Sequence, residues 1–246
     1  MTSSEVLLLR LSGPLMSFGG VKVDEHNVTA RFPGRSLLAG LIANALGWDH
    51  GDFDRLDRLQ SRLRHAARCD RAGHKLVDFH TVDLGQDFLR EGWTTYGRPA
   101  GRAGGTAKTG THIRYRHYWA DAVVTVAISL NPFDEEPTLS GIERALLHPA
   151  RPLFLGRKTC LPSEPIVLGR LTASSLRTAI AAAPLHHRHD DAVGGFPASW
   201  PKDDEPAADE GRLVPAYDER DWRNQIHAGR RLTWEGWIRR EEIGHG

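Results

Sequence analysis

Val6-Leu7-Leu8-Leu9-Arg10-Leu11 is a short, almost wholly apolar run closed by Ser12-Gly13-Pro14. A run of this length between turn residues reads as a buried strand. A glycine-containing loop follows, and Phe32-Pro33-Gly34-Arg35-Ser36 then introduces Leu37, Leu38, Leu41, Ile42, Ala45 and Leu46 at helical spacing. Ser36 reads as the N-cap of that helix, and Gly47 stands just past its end. A second amphipathic helix is expected over about 53–67, with Phe53, Leu56, Leu59 and Leu63 on one face and charges opposite.

Further along, residues 75–84 read as a strand. Residues 86–111 are rich in glycine and basic residues and show no apolar period, too long a stretch for a simple turn. Residues 112–130 return to strand chemistry. In the first half Ile113, Tyr115, His117 and Trp119 fall on one face and Arg114, Arg116 and Tyr118 on the other, while 122–130 reads as a core strand. A helix is expected over 138–147, short strands over 152–155 and 166–171, a small helix over 174–183 capped by Ser174 or Ser175, and a closing strand near 231–240. Without the second helix and the insert, the order through residue 170 is βαββαβ. That is the ferredoxin-like or RRM arrangement of the α+β class. Many functions use it, so the order alone decides little. The chain divides into 1–170 and a C-terminal, β-containing segment, 171–246.

With 246 residues and 40% apolar content, the chain suits one large globular domain, or a domain with a smaller lobe. It has no apolar run long enough to span a membrane and no basic N-terminal leader, so the expected compartment is the cytoplasm. Cys69 and Cys160 are far apart and in no CxxC pair, which argues against structural zinc and favours reduced thiols. Net charge is only +1, but its distribution is uneven. Residues 189–221 hold ten acids against Lys202, Arg212 and Arg220, a net of −7, so the other residues sum to +8. A basic body with one acidic loop suits a polyanion binder docked among other subunits, and equally an ordinary solvated surface.

The enzyme motifs fail. In the glycine-rich stretch 101–110, Lys108-Thr109 is preceded by Ala107, so no P-loop lysine is placed, and there is no GxSxG, HExxH or GxGxxG after a strand. The cluster His186-His187-Arg188-His189-Asp190-Asp191 has metal-binding residue types, but it reads better as a solvated loop; no metal or cofactor is expected. Tyr96, Lys108 and His112 offer an acid–base set for RNA, or simply phosphate contacts and stacking. Binding features are stronger. Gly34-Arg35-Ser36 opens a helix whose amides and dipole favour an anion. The 114–119 strand alternates cations with rings, and with Trp93 and Tyr96 it offers stacking surfaces beside phosphate partners.

Five stretches resemble one family. Leu9-Arg10-Leu11-Ser12-Gly13-Pro14-Leu15-Met16-Ser17-Phe18-Gly19 resembles the N-terminal signature of the CasD (Cas-five) family of CRISPR-associated proteins, usually Gly-Pro-Leu-Gln-Ser-Trp-Gly. The segment from Phe32 to Gly47 is similar to its first helix and Phe79-His80-Thr81-Val82 to its second strand. Tyr115-Arg116-His117-Tyr118-Trp119-Ala120-Asp121-Ala122 is similar to its Arg-Tyr-Tyr-Leu-x-Asp-Ala strand, and Leu155-Gly156-Arg157-Lys158-Thr159-Cys160 to its Leu-Gly-Arg-Lys-Ser-Cys segment. The matches keep family order over residues 6–165. Met16, Phe18, Gly34-Arg35 and Arg116-His117 depart from the usual residues; Arg35 keeps charge without lysine geometry, and Phe18 loses an indole donor.

The resemblance implies an RRM-like palm with an inserted β-hairpin thumb at 86–111. It implies binding of the 5′ handle of crRNA in a type I-E Cascade complex, beside the backbone subunit CasC, the large subunit CasA and, once assembled, target DNA. The RNA-binding residues it implies are Ser17, Phe18, Lys22, Arg31, Arg35 and Ser36 near the N-terminus, and His80, Arg114, Arg116 and His117 on the paired strands. Trp93, Tyr96, Arg98, Arg102 and Lys108 are added in the insert, and Arg157 and Lys158 in the last motif. Such a subunit is not an enzyme. The related type I-C protein cuts its RNA, so an endoribonuclease is the alternative, followed by a general single-stranded RNA-binding protein.

Overall fold

The structure, a computed structural model, describes residues 3–20, 24–84, 91–93, 99–101, 110–190, 194–204 and 211–244. Among them nine strands of five or more residues and four α-helices run in this order: β1 (Ser4–Ser12), α1 (Arg35–Ala45), α2 (Phe53–Arg62), β2 (Leu63–Arg71), β3 (His74–Asp83), β4 (Thr111–Ala120), β5 (Val123–Leu130), α3 (Leu139–Leu147), β6 (Val167–Ala173), α4 (Leu176–Ala182), β7 (Phe196–Pro201), β8 (Arg212–Ala216) and β9 (Arg231–Ile238). No helix among these residues is long and apolar enough to cross a membrane.

The apolar run that opens the chain is buried on both faces. Leu7, Leu9 and Leu11 enter one core cluster, and Val6 and Leu8 enter a second. A strand of that kind belongs inside a sheet covered on both sides. Accordingly β1 lies between β6 and β5 in a seven-stranded antiparallel sheet of order β6-β1-β5-β2-β7-β9-β8. Leu38, Leu41 and Ile42 of α1, Leu56 and Leu59 of α2, and Leu139, Ile142 and Leu146 of α3 fill the first cluster. The other face is covered by Leu176 and Ile180 of α4 with Phe196, Trp200 and Ile238. The sheet therefore continues across residue 170, and the C-terminal strands lengthen it.

Three expectations need correction. The helix expected over 53–67 ends at Arg62, and Leu63–Arg71 is a central strand paired with β5 from Leu63↔Leu130 onward. Its strand character is hidden because its second face carries Arg68 and Asp70, both fully buried. Arg68 Nε donates to Asp70 Oδ1 at 2.7 Å, and Thr125 Oγ1 donates to Asp70 Oδ2 at 2.9 Å. The strand expected over 112–130 is two strands in two sheets, parted at Asp121, where φ is +57°. Residues 152–155 form no strand.

The second sheet is built on β4. It pairs with β3 over ten residues, from His74↔Ala120 to Asp83↔Thr111, so the strand read at 75–84 exists but lies outside the main sheet. Leu15–Met16 and His26–Asn27 also pair with β4, the latter in parallel. Glu91–Trp93 pairs with Pro99–Gly101 as a separate antiparallel ribbon inside the expected thumb. The expected caps also differ. Gly34, not Ser36, is the N-cap of α1, while Ser175 caps α4 by accepting from Thr178 N at 3.0 Å.

Candidate nucleic-acid interface

The turn at Gly13-Pro14 folds residues 15–18 back over the edge of the helical face. There they meet the loop at residues 155–160. Ser17 N donates to Leu155 O at 3.1 Å, and that loop closes on itself through Leu155 N to Cys160 O at 2.7 Å. Gly156 has φ +101°, and a Cβ on it would lie 1.7 Å from Ser17 O, so only glycine lets the two motifs touch. Arg157 completes the joint. Its Nη1 donates to His117 O at 3.0 Å, its Nη2 to Asn27 O at 2.9 Å, and its guanidinium lies 4.6 Å from the Tyr118 ring centre. Ser17 Oγ donates to the same His117 carbonyl at 3.2 Å.

These contacts line a cleft of about 820 Å³ bounded by α1, the 155–159 loop, β4, residues 48–50 and the short ribbon Arg220–Asp221/Ile226–His227. Among the described residues its wall carries Arg114, Arg116, Arg151, Arg157, Lys158 and Arg220 against a single carboxylate, Asp49. Asp49 is already paired with Arg151 at 2.6 Å. The alternation read in β4 accounts for two of the cations: Arg114 and Arg116 share a face and line the cleft. Tyr115 lies on the opposite face, stacked on His26 at 4.7 Å and tilted against Phe79. The strand's cations and its stacked rings thus serve different sides.

The structure brings Ser17, Phe18, Ser36, Arg114, Arg116, Arg157 and Lys158 together at this cleft. Ser17 and Phe18 are only 2% and 5% exposed, so they support the wall rather than present a free hydroxyl and ring. His117 lies behind it, its Nε2 3.4 Å from His26 Nδ1. Arg31 is exposed beside Phe32, and the His80 ring lies against the Asp78 carboxylate on the β3–β4 ribbon. Lys22, Tyr96, Arg98, Arg102 and Lys108 lie outside the described residues, as does the side chain of Trp93.

Arg35 and the start of α1 are placed differently from the expectation. The anion at this helix start is internal: Arg35 N donates to Asp218 Oδ2 at 2.8 Å, and Ser36 N donates to Asp218 O at 2.9 Å. Arg35 Nη1 meets Glu219 Oε1 at 2.5 Å, and Arg231 grips Asp218 with Nε to Oδ1 at 2.8 Å. Burial pushes the Asp218 carboxyl up, but the hydrogen bonds and charge of Arg231 outweigh it and hold it below the usual carboxylate range. His65 is buried beside them, 3.1 Å from Pro33 O. Burial, helped by the Arg231 charge, drives its imidazole well below its ordinary value. Of the cluster expected to be a solvated loop, His187, Arg188 and Asp190 are exposed, but His186 is not. His186 is buried, with Nε2 3.1 Å from Glu164, and its backbone N donates to Asp70 at 3.2 Å. No group of metal-ligating side chains occurs among the described residues.

Arg151, Arg220, Trp222 and His227 also line the cleft, and nothing in the sequence marks them as binding residues. Arg220 and Trp222 stand at the end of the strongly acidic stretch, where surrounding charge masks them; only a lone Arg-x-Trp sets them apart.

Residues 6–233 match the model of the family described as "CRISPR-associated protein (Cas_Cas5)". The chain belongs to the Cas5, or CasD, family. A curated relative, "CRISPR system Cascade subunit CasD" of Escherichia coli (strain K12), is 33% identical over 182 residues, covering 71% of this chain and 75% of that protein. Among solved structures, a chain of a "CRISPR RNA-guided surveillance complex" superposes with a TM-score of 0.65 at 29% identity, covering 98% of this chain and 93% of that one. A second, "Crystal structure of Cas protein", gives 0.64 at 27% identity and covers 98% of both chains. The Cas5 match runs well past residue 170 and includes the Arg220–His227 ribbon, so the far wall of the cleft lies within the family region.

Proposed function

We propose that this chain is a non-catalytic subunit of a Cascade surveillance complex, holding the 5′ handle of the crRNA in the cleft between α1, the 155–159 loop and β4. The observation that carries the proposal is the cleft's charge: among the described residues six cations face one carboxylate, and that carboxylate is already paired. Such a groove attracts a polyanion and holds it by phosphate contacts. The likeness to a Cascade subunit and to a chain of an RNA-guided surveillance complex supports reading that polyanion as guide RNA.

On this reading β1, α1, β2, β5, α3 and β6 form the RRM-like palm. Their spatial order β6-β1-β5-β2 and antiparallel pairing are those of a ferredoxin-like sheet. The β3–β4 ribbon with the insert at 86–111 is the thumb. CasC and CasA are the expected neighbours, target DNA is engaged in the assembled complex, and the work is cytoplasmic antiviral defence.

The test uses the full chain and labelled single-stranded repeat RNA. Arg116→Ala and Lys158→Ala should each weaken binding about three- to tenfold and flatten its salt dependence, as expected for one lost phosphate contact. Unchanged affinity and slope in both variants would remove the cleft from RNA binding. The same RNA should stay uncut with or without divalent metal. Specific cleavage at the base of its hairpin, lost on changing Tyr96, Lys108 or His112, would instead make the chain the processing endoribonuclease.

A further inference from the structure

The cations around the cleft differ in how their charge is answered. Arg151 has Asp49, and Arg35, just outside, has Glu219. Arg157 is satisfied by two backbone carbonyls. Arg220 has no carboxylate partner among the described residues. Its side chain reaches Gln225 Oε1 at 2.6 Å and lies 5.5 Å from the Trp222 ring centre, while its Nε is buried with no partner at all. The two acids beside it in sequence are engaged elsewhere, Glu219 with Arg35 and Asp221 with Asn224. Burial lowers its affinity for a proton, with no neighbouring charge to offset the effect. A half-buried guanidinium without a counter-charge is unfavourable, and an arriving anion relieves that cost.

The position of Arg220 is fixed. Its N–H donates to Gln60 Oε1 at 3.1 Å, and its carbonyl accepts from Gln60 Nε2 at 3.0 Å, so the α2 amide clamps the ribbon backbone from both sides. Trp222, buried in the core under α1, secures the next turn. The ribbon therefore carries an unanswered cation into the cleft that Arg116 and Lys158 also line, on chain far from the N-terminal motifs.

We propose that Arg220 is a phosphate ligand for the bound RNA, so that the C-terminal ribbon supplies the far end of the RNA track. This rests on the cleft being the RNA site. A guanidinium donates to phosphate oxygens as a charge-assisted partner, and Nη1, which takes no part in the contacts that hold Nη2 to Gln225, is the nitrogen that would reach one.

The experiment measures anisotropy of fluorescein-labelled single-stranded repeat RNA with the full chain, from about 50 to about 200 mM salt. The variants are Arg220→Gln, Arg220→Lys and Lys158→Ala. Arg220→Gln should weaken binding about five- to tenfold and flatten the log–log salt slope by about 0.7, one single-strand phosphate contact. Arg220→Lys should restore most of the slope, and the melting temperature of Arg220→Gln should fall by no more than about 3 °C, because one hydrogen bond to Gln225 and no ion pair is lost. An unchanged slope for Arg220→Gln while Lys158→Ala loses its share would overturn the Arg220 assignment and leave the cleft reading standing. A larger fall in melting temperature with an unchanged slope would make Arg220 a packing residue only. Unchanged slopes in both neutral variants, or no RNA binding by the unaltered chain, would overturn the cleft reading and this assignment with it.

Discussion

Gly156 sits where two distant motifs touch, and it is the residue least able to change. A side chain there would meet the Ser17 carbonyl while forced to keep φ at +101°. Neither backbone can yield without moving β1 or the 155–160 loop, so Gly156→Ala should cost about 3 kcal/mol, measured by urea unfolding. A second residue-scale prediction concerns acid. His65 is held neutral in the fold, so below its ordinary value near 6.5 the unfolded chain binds a proton that the native chain refuses. Stability should therefore fall as pH drops below about 6.5, by up to about 1.4 kcal/mol per pH unit. Asp218, held low, contributes fully above the ordinary carboxylate range and loses its contribution as pH falls further, adding to the same trend. His65→Gln should flatten the first part of the profile in denaturant melts at pH 6.5, 5.5 and 4.5; an unchanged slope would place the proton uptake elsewhere. Sequence showed Gly156, Arg157 and Lys158 as a motif but not their division of labour. That Arg157 braces backbone carbonyls while Lys158 stays exposed depends on what residues 17, 27 and 117 bring to the same place.

At the scale of elements, periodicity identified what one apolar face controls. α1 and α3 declare themselves because their inward residues are all apolar, and the first strand because only Arg10 and Ser12 break its buried apolar run. It failed at β2, where one of two buried faces carries an arginine and an aspartate answering each other, and at the 112–130 run, where one residue at positive φ sends a continuous-looking strand into two sheets. The same ribbon carries a prediction. Leu84 N donates to Gly110 O at 3.1 Å, extending the long β3–β4 pairing by one rung beyond Asp83↔Thr111. The core clusters draw almost nothing from this ribbon beyond Tyr118 and Trp119, near its base. Replacing residues 86–109 by a short turn should thus shift the melting temperature by no more than about 3 °C. It should still impair assembly or target binding, measured by co-purification of the complex with its crRNA. A large loss of stability with assembly intact would make the insert a structural strap.

For the whole molecule, the acidic C-terminal segment proves to be an integral part of the sheet and of the cleft. Composition sets it apart, and only topology restores it: β7, β9 and β8 continue the sheet beyond β2, Asp218 and Glu219 cap α1, and Arg220 to His227 close the far wall. Long-range closures of this kind leave no local pattern, which is why the N-terminal motifs pointed to one wall of the site and missed the other. The most direct measurement is photo-crosslinking of 4-thiouridine-labelled repeat RNA to the full chain, with the attached peptides located by mass spectrometry. The account predicts crosslinks in residues 36–50, 114–118, 154–159 and 220–227, the walls of one cleft. Crosslinks gathered instead on α3 and β6, with those segments unlabelled, would contradict it.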